Sequence, residues 1–237
     1  MRQSLTDSLS ETLNKIKIVE TAVLHAESSA PNSIVRIATT NGLVVYLAAV
    51  IEEGVRELFK AFLEDLYNEV STNSQLPPKL IQSNYKAIGE TLKNLSKSTE
   101  VDAPMRILNI FNDINTAHNN GECTPFFKSQ LTHNQSNMKS SQVAEISSRN
   151  GIPKLWRKVS STPEIKLYYS VLKPNQIETK LLIDWNELFG ERDTIMHKNS
   201  QATGLGASII SNYAAMFQVA LTGISKVLDE SITELSS

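Results

Sequence analysis

From Leu43 to Val70 an apolar or small residue returns every three or four positions: Leu43, Leu47, Val50, Gly54, Leu58, Phe62, Leu66 and Val70. That spacing keeps one face of an α-helix apolar for about seven turns. Glu53, Arg56, Glu57, Lys60, Glu64 and Asp65 are dispersed around the rest of it. A stripe this long needs neighbouring helices to cover it, which makes this segment the spine of a helical bundle. The helical pattern begins near Ser33 and runs to about Ser71, with Asn41-Gly42 as a candidate early break.

The flanking chain supplies the neighbours. Leu5, Leu9, Leu13, Ile16, Val19 and Val23 form a first stripe, ended by the Ser28 to Ser33 stretch with Pro31. Pro77-Pro78 marks a turn before a third helix over Lys79 to Lys97. A fourth runs from Pro104 to Ala117, with proline in the first turn, where its missing N–H costs little. Ile107, Leu108, Phe111 and Ile114 are its expected buried face.

Residues 118–176 read as a loop-rich insertion. Asn119-Asn120-Gly121 is a turn signal, and the chain stays polar to Ser141. Short helices are expected over Ser140 to Arg149 and Ile152 to Lys158, separated by Asn150-Gly151 as a left-handed cap. Ser160 to Asn175 reads as loop, with Pro163 and Pro174 as stops. The stretch has too few apolar residues for a core of its own, so residues 1–237 are expected to form one helical domain. Helix then returns from Gln176 to Phe189 on Leu181, Leu182, Trp185 and Leu188. The last helix, Gly204 to Leu235, carries Leu205, Ile209, Tyr213, Met216, Ala220, Ile224 and Val227. No segment alternates as a strand does. The expected fold is all-α, an up-and-down bundle with the insertion before its last two helices.

Composition limits the function classes. The 237 residues are 41% hydrophobic and 20% charged, as in globular proteins. A net charge of −2 gives no global positive field, which argues against a protein that coats nucleic acid and leaves room for a confined basic cleft. The one cysteine, Cys123, rules out an internal disulfide and suits a reducing compartment. The N-terminus lacks a signal-peptide core, and the longest apolar run, Leu43 to Ile51, stops at Glu52-Glu53, short of the roughly 20 residues a bilayer requires. The sequence predicts a cytoplasmic protein with no membrane partner.

The chemistry-bearing stretch is Glu191-Arg192-Asp193-Thr194-Ile195-Met196-His197-Lys198-Asn199. Its Arg192-x4-His197 spacing, followed by a final long helix, resembles the signature of HEPN-superfamily ribonucleases. The resemblance extends over most of residues 35–225. The helix of Leu43 to Phe62 with Glu52 and Glu53 looks like the opening of the RiboL-PSP-HEPN-like branch. Asn134-Gln135-Ser136-Asn137-Met138-Lys139 to Asn150-Gly151-Ile152 looks like its polar turn and short helix. Many relatives carry glycine directly after the histidine, where this chain has Lys198-Asn199.

The resemblance implies metal-independent RNA cleavage, no cofactor, and a homodimer with a composite site. It further implies a toxin or anti-phage effector restrained by an antitoxin or operon-encoded partner. The residue types suit that chemistry. An imidazole populates both protonation states near neutrality and can move protons at the ribose 2′-OH or the leaving 5′ oxygen. A guanidinium stays charged and can hold two phosphate oxygens while charge develops. His197 is therefore the expected acid or base and Arg192 the expected phosphate clamp, with Asp193 orienting Arg192 or the substrate.

Residues five apart on a regular helix diverge by about 140°. Either the backbone bends near Gly190, or both side chains border a wide groove, such as one between two subunits. The same pair could simply be cations at a helix end, which the helix dipole favours. A module that binds RNA, nucleotide or a partner protein without cutting is thus the alternative. Lys198, Asn199, Lys154, Arg157 and Lys158 are candidate contacts to RNA backbone. His25, His118 and His133 have no metal-ligand spacing to one another or to Cys123, so no metal is expected.

Overall fold

The computed structural model describes residues 1–30, 32–133, 137–198 and 205–236. Among these residues the chain is all-α, with no strand. Two long helices come first, α1 (Gln3–Ser29) and α2 (Ser33–Glu69). A 3-10 turn at Asn73–Gln75 leads to α3 (Pro78–Ser96) and α4 (Ala103–Asn120). Four short helices follow: α5 (Lys128–Leu131), α6 (Ser140–Arg149), α7 (Leu155–Val159) and α8 (Pro163–Tyr168). Long helices return as α9 (Pro174–Lys198) and α10 (Ala207–Ser236).

The bundle proper is α1, α2, α9 and α10. At one end Arg2 reaches Glu69 at 3.2 Å and Asp229 at 3.1 Å, so α1 begins where α2 and α10 finish. At the other end Arg36 and Thr40 of α2 share a cavity wall with Leu205 and Ala207 at the start of α10. Direction thus alternates through the four helices, and the chain between α2 and α9 is an excursion from them. The spine α2 is 37 residues long, about 55 Å, and continuous through Asn41-Gly42. Its first turn is capped by Asn32, whose side chain accepts the Val35 N–H at 3.0 Å.

α1 lies close on α2. A Cβ added at Gly54 would stand 2.3 Å from Thr12 Cγ2, so only glycine fits this crossing as packed. The start of α1 is capped from a distance: buried Asp65 of α2 accepts the Leu5 N–H at 3.1 Å. Asp65→Ala is expected to cost about 1–2 kcal/mol, since it leaves a buried N–H unpaired. A urea midpoint equal to that of the parent protein would show that the cap contributes nothing.

Three expectations change. Ser160 to Asn175, expected as loop, holds α8, whose Pro163 begins the helix instead of stopping one. Among the described residues of α4 only Ala103 and Ala117 are buried, while Met105, Leu108 and Phe111 are exposed, because α3 is its one substantial neighbour. In α10 the buried stripe includes Ile210, Ala214, Phe217 and Leu221, and Ile209 is exposed. The insertion adds Leu131, Met138, Ile146, Leu155, Trp156 and Ile165 to the same core as the long helices. By length and composition alone α2 and α10 are apolar enough to cross a membrane. The longest uninterrupted apolar run conceals this, because polar residues interrupt both stretches.

Candidate active site

α9 runs through Gly190 to Lys198, so the helix is not interrupted before the motif. At Gly190 an added Cβ would meet nothing within 4 Å, which leaves bare, open helix surface there. Trp185, Leu188 and Phe189 fill the core-facing side. Asn186, Gly190, Asp193 and His197 follow one another at three- and four-residue steps and form a single stripe beside it. Asp193 and His197 are therefore neighbours one turn apart. Arg192 starts about 100° away from Asp193.

A short segment, residues 137–140, which leads into the first turn of α6, decides where the Arg192 side chain goes. Its backbone is held at both alternate residues. Met138 N donates to Glu52 Oε1 at 3.3 Å, and Met138 O accepts the Trp185 indole N–H at 2.8 Å. Ser140 N donates to Asn186 Oδ1 at 2.9 Å, and Ser140 O accepts the Trp156 indole N–H at 2.7 Å. Both tryptophans of the chain thus bond this one segment, and their rings pack edge-on at 4.8 Å. Met138 and Ser140 are buried, while the positions just before each of them are half-buried and reach the end of α9. Those positions are Asn137 and Lys139.

Asn137 joins the two motif residues. Its amide oxygen accepts from Arg192 Nη1, and its amide nitrogen donates to Asp193 Oδ1. Lys139 Nζ stands 3.3 Å from Asp193 Oδ2. The direct Arg192–Asp193 contact, at 3.4 Å, is at the long end for a hydrogen bond, so the amide carries most of the tie. Burial alone would raise the Asp193 carboxyl, but the bonds from Asn137 and Lys139 and the charges of Lys139 and Arg192 hold it below its ordinary value. The cluster stays ionised at neutral pH and comes apart only in acid, as pH falls through that lowered value. Arg192 is drawn toward the Asp193 face, which the angle between helix positions would not suggest. His197 is exposed and makes no hydrogen bond among the described residues.

A family model described as RiboL-PSP-HEPN matches residues 5–232. The chain belongs to the RiboL-PSP-HEPN family. No curated protein and no solved structure matches it. The match takes in the spine helix, the polar segment and the Arg192-x4-His197 motif that carried the resemblance.

Of the other candidate residues, Lys154 and Arg157 are exposed on or next to α7 and share no bond with the Arg192 cluster. Lys158 pairs with Glu234 at 3.6 Å, near the end of α10 far from the motif. Lys198 is the last residue of α9, while Asn199, the Asn134-Gln135-Ser136 stretch and Gly204 lie outside the described residues. Sequence reasoning did not single out Asn137, Lys139 or Asn186 as site residues. The polar 134–139 passage contained the first two, but periodicity carries no information about an irregular segment that is fixed by tertiary bonds. Glu52 was visible as half of an acidic pair; the structure gives it a backbone N–H of the site segment, while Glu53 faces Arg56 at 3.8 Å.

Proposed function

We propose that this protein is a metal-independent endoribonuclease of the HEPN type. The observation that carries the reading is the tethering of Arg192 by Asn137 above a helix stripe on which Asp193 and His197 adjoin. Nη1 is engaged, and a guanidinium has further N–H donors to offer a phosphate. In the reaction the ribose 2′-oxygen attacks phosphorus, its proton passes to a base, and the bond to the 5′ oxygen breaks as an acid protonates it. The products are a 2′,3′-cyclic phosphate and a 5′-OH. His197 serves as acid or base, and Arg192 offsets charge on the phosphorane.

One exposed histidine does not readily fill both proton-transfer roles in a turnover. A two-fold dimer with both copies of the motif at one cleft supplies the second. Exposed Met196, beside His197, is consistent with a partner surface there. The biological setting we infer is cytoplasmic, a toxin or anti-phage effector kept in check by a partner protein.

The alternative, a module that binds RNA, nucleotide or a partner protein without cutting, is favoured by one observation. Arg192 is already bonded to Asn137 and Asp193, as a structural residue would be. Purified protein incubated with total RNA in EDTA separates the two readings. Cleavage leaving cyclic phosphates is the expected result; RNA retained but left intact, with no inhibitory partner in the preparation, would replace nuclease with binding module.

A further inference from the structure

A groove of about 700 Å³ lies between α3 and α6, with Gln130 of α5 and the nearby His133 also in its lining. Its wall on α3 carries Lys79, Ser83 and Lys86 at helical spacing on one face. The two lysines are about 10 Å apart along the axis. Both are exposed, and neither has an ion-pair partner among the described residues. The α6 wall carries Gln142, Glu145 and Arg149. Arg149 is fixed in place: its Nη1 donates to the carbonyl oxygens of Gln130 at 3.2 Å and His133 at 3.0 Å, and its Nη2 reaches Glu145 at 3.1 Å. That ion pair neutralises Glu145. With Glu90 as the other carboxylate in the lining, the groove keeps a net positive charge in a chain whose total is −2.

The groove adjoins the candidate active site. Gln142, on its near wall, donates its backbone N–H to the Lys139 carbonyl at 3.0 Å, and the Lys139 side chain pairs with Asp193. A row of polar and cationic groups therefore leads from Arg192 and Asp193 through Lys139 and Gln142 to Lys79 and Lys86. No Phe, Tyr or Trp lines it and His133 supplies its one ring, so it has no row of platforms on which successive bases would stack. Unpaired cations and amides instead suit the sugar–phosphate backbone.

We propose that this groove is the track for a single RNA strand whose scissile phosphate lies at Arg192. The inference rests on the reading of the protein as RNA-binding, and it assigns Lys79 and Lys86 to phosphates away from the cut. It also implies that a very short RNA reaches the site without using the groove.

The test is fluorescence anisotropy in EDTA with labelled oligouridylates of roughly 16 and roughly 4 nucleotides, lengths that span single-strand site sizes. Wild type and a Lys79→Gln/Lys86→Gln variant are compared over a salt series, both carrying His197→Ala to prevent cutting. The variant is expected to bind the longer RNA on the order of tenfold more weakly, with a log–log salt slope reduced by about 1.4. Binding of the shorter RNA should not change. Equal affinity and equal slope for the longer RNA would overturn the track, as would failure of the parent protein to bind it. Cleavage by the His197-containing protein is scored separately. Cutting with no lysine effect sinks the groove alone, and a lysine effect with no cutting sinks the nuclease alone. Because both lysines are exposed, equal melting temperatures are expected and confirm that the variant is folded.

Discussion

Alanine at position 197 is expected to slow RNA cleavage by roughly 10²–10⁴-fold, the usual contribution of a positioned acid or base. The same substitution should leave the melting temperature and oligomeric state unchanged, since His197 is exposed and bonds no described residue. Arg192→Ala should also suppress cleavage, but with a structural cost, because Asn137 and Asp193 lose their shared partner. Arg192→Lys would keep the charge without the fork that grips two oxygens, so it should recover only part of the activity. The check is single-turnover cleavage of a defined single-stranded RNA in EDTA, with circular dichroism melts of each protein. Full activity in His197→Ala would remove that residue from the chemistry.

Trp185→Ala should be the most destabilising of the substitutions considered. The indole is fully buried among Trp156, Phe189 and Phe217, with ring centroids 4.8, 6.5 and 4.7 Å away. Truncating such a side chain to alanine costs about 3–5 kcal/mol, which for a chain of this size lowers Tm on the order of 10 °C. It also leaves the Met138 carbonyl without its donor. Trp185→Phe separates the two effects. The ring is largely retained, so the loss falls to about 1–2 kcal/mol, mainly from the missing hydrogen bond. Cleavage should nevertheless drop in Trp185→Phe, because the segment that aims Asn137 at Arg192 has lost one of its anchors. Chemical denaturation beside a cleavage assay reads both quantities. Full cleavage in a stable Trp185→Phe would mean that the segment does not position the clamp.

Much of the bundle was legible in the order of apolar residues. The stripes of α1 and α2 were read at the right residues, because helices that pack along their whole length impose their period on the sequence. α6 was read to the residue, from Ser140 to Arg149, with the left-handed Gly151 just beyond it at φ 83°. What failed depended on neighbours that periodicity does not reveal. The apolar face of α4 was expected to be buried, yet too little of the molecule faces it. Of the two readings left open for Gly190, an interruption of the helix there is not seen, since α9 is continuous from Pro174 to Lys198. Within the site, Arg192, Asp193 and His197 were named from spacing and resemblance. Asn137 was not, since its role depends on four backbone hydrogen bonds from three distant helices and on a side-chain direction that only the folded chain defines.

The anchoring of residues 138–140 by both tryptophans makes the protein its own optical reporter. The chain has no other indoles, so emission excited beyond tyrosine absorption arises beside the segment that carries Asn137 and Lys139. Loosening of that segment would admit water to two ring N–H groups at once, shifting emission to the red before the long helices melt. An unlabelled titration with RNA, or with a restraining partner, can thus be followed at the candidate active site itself.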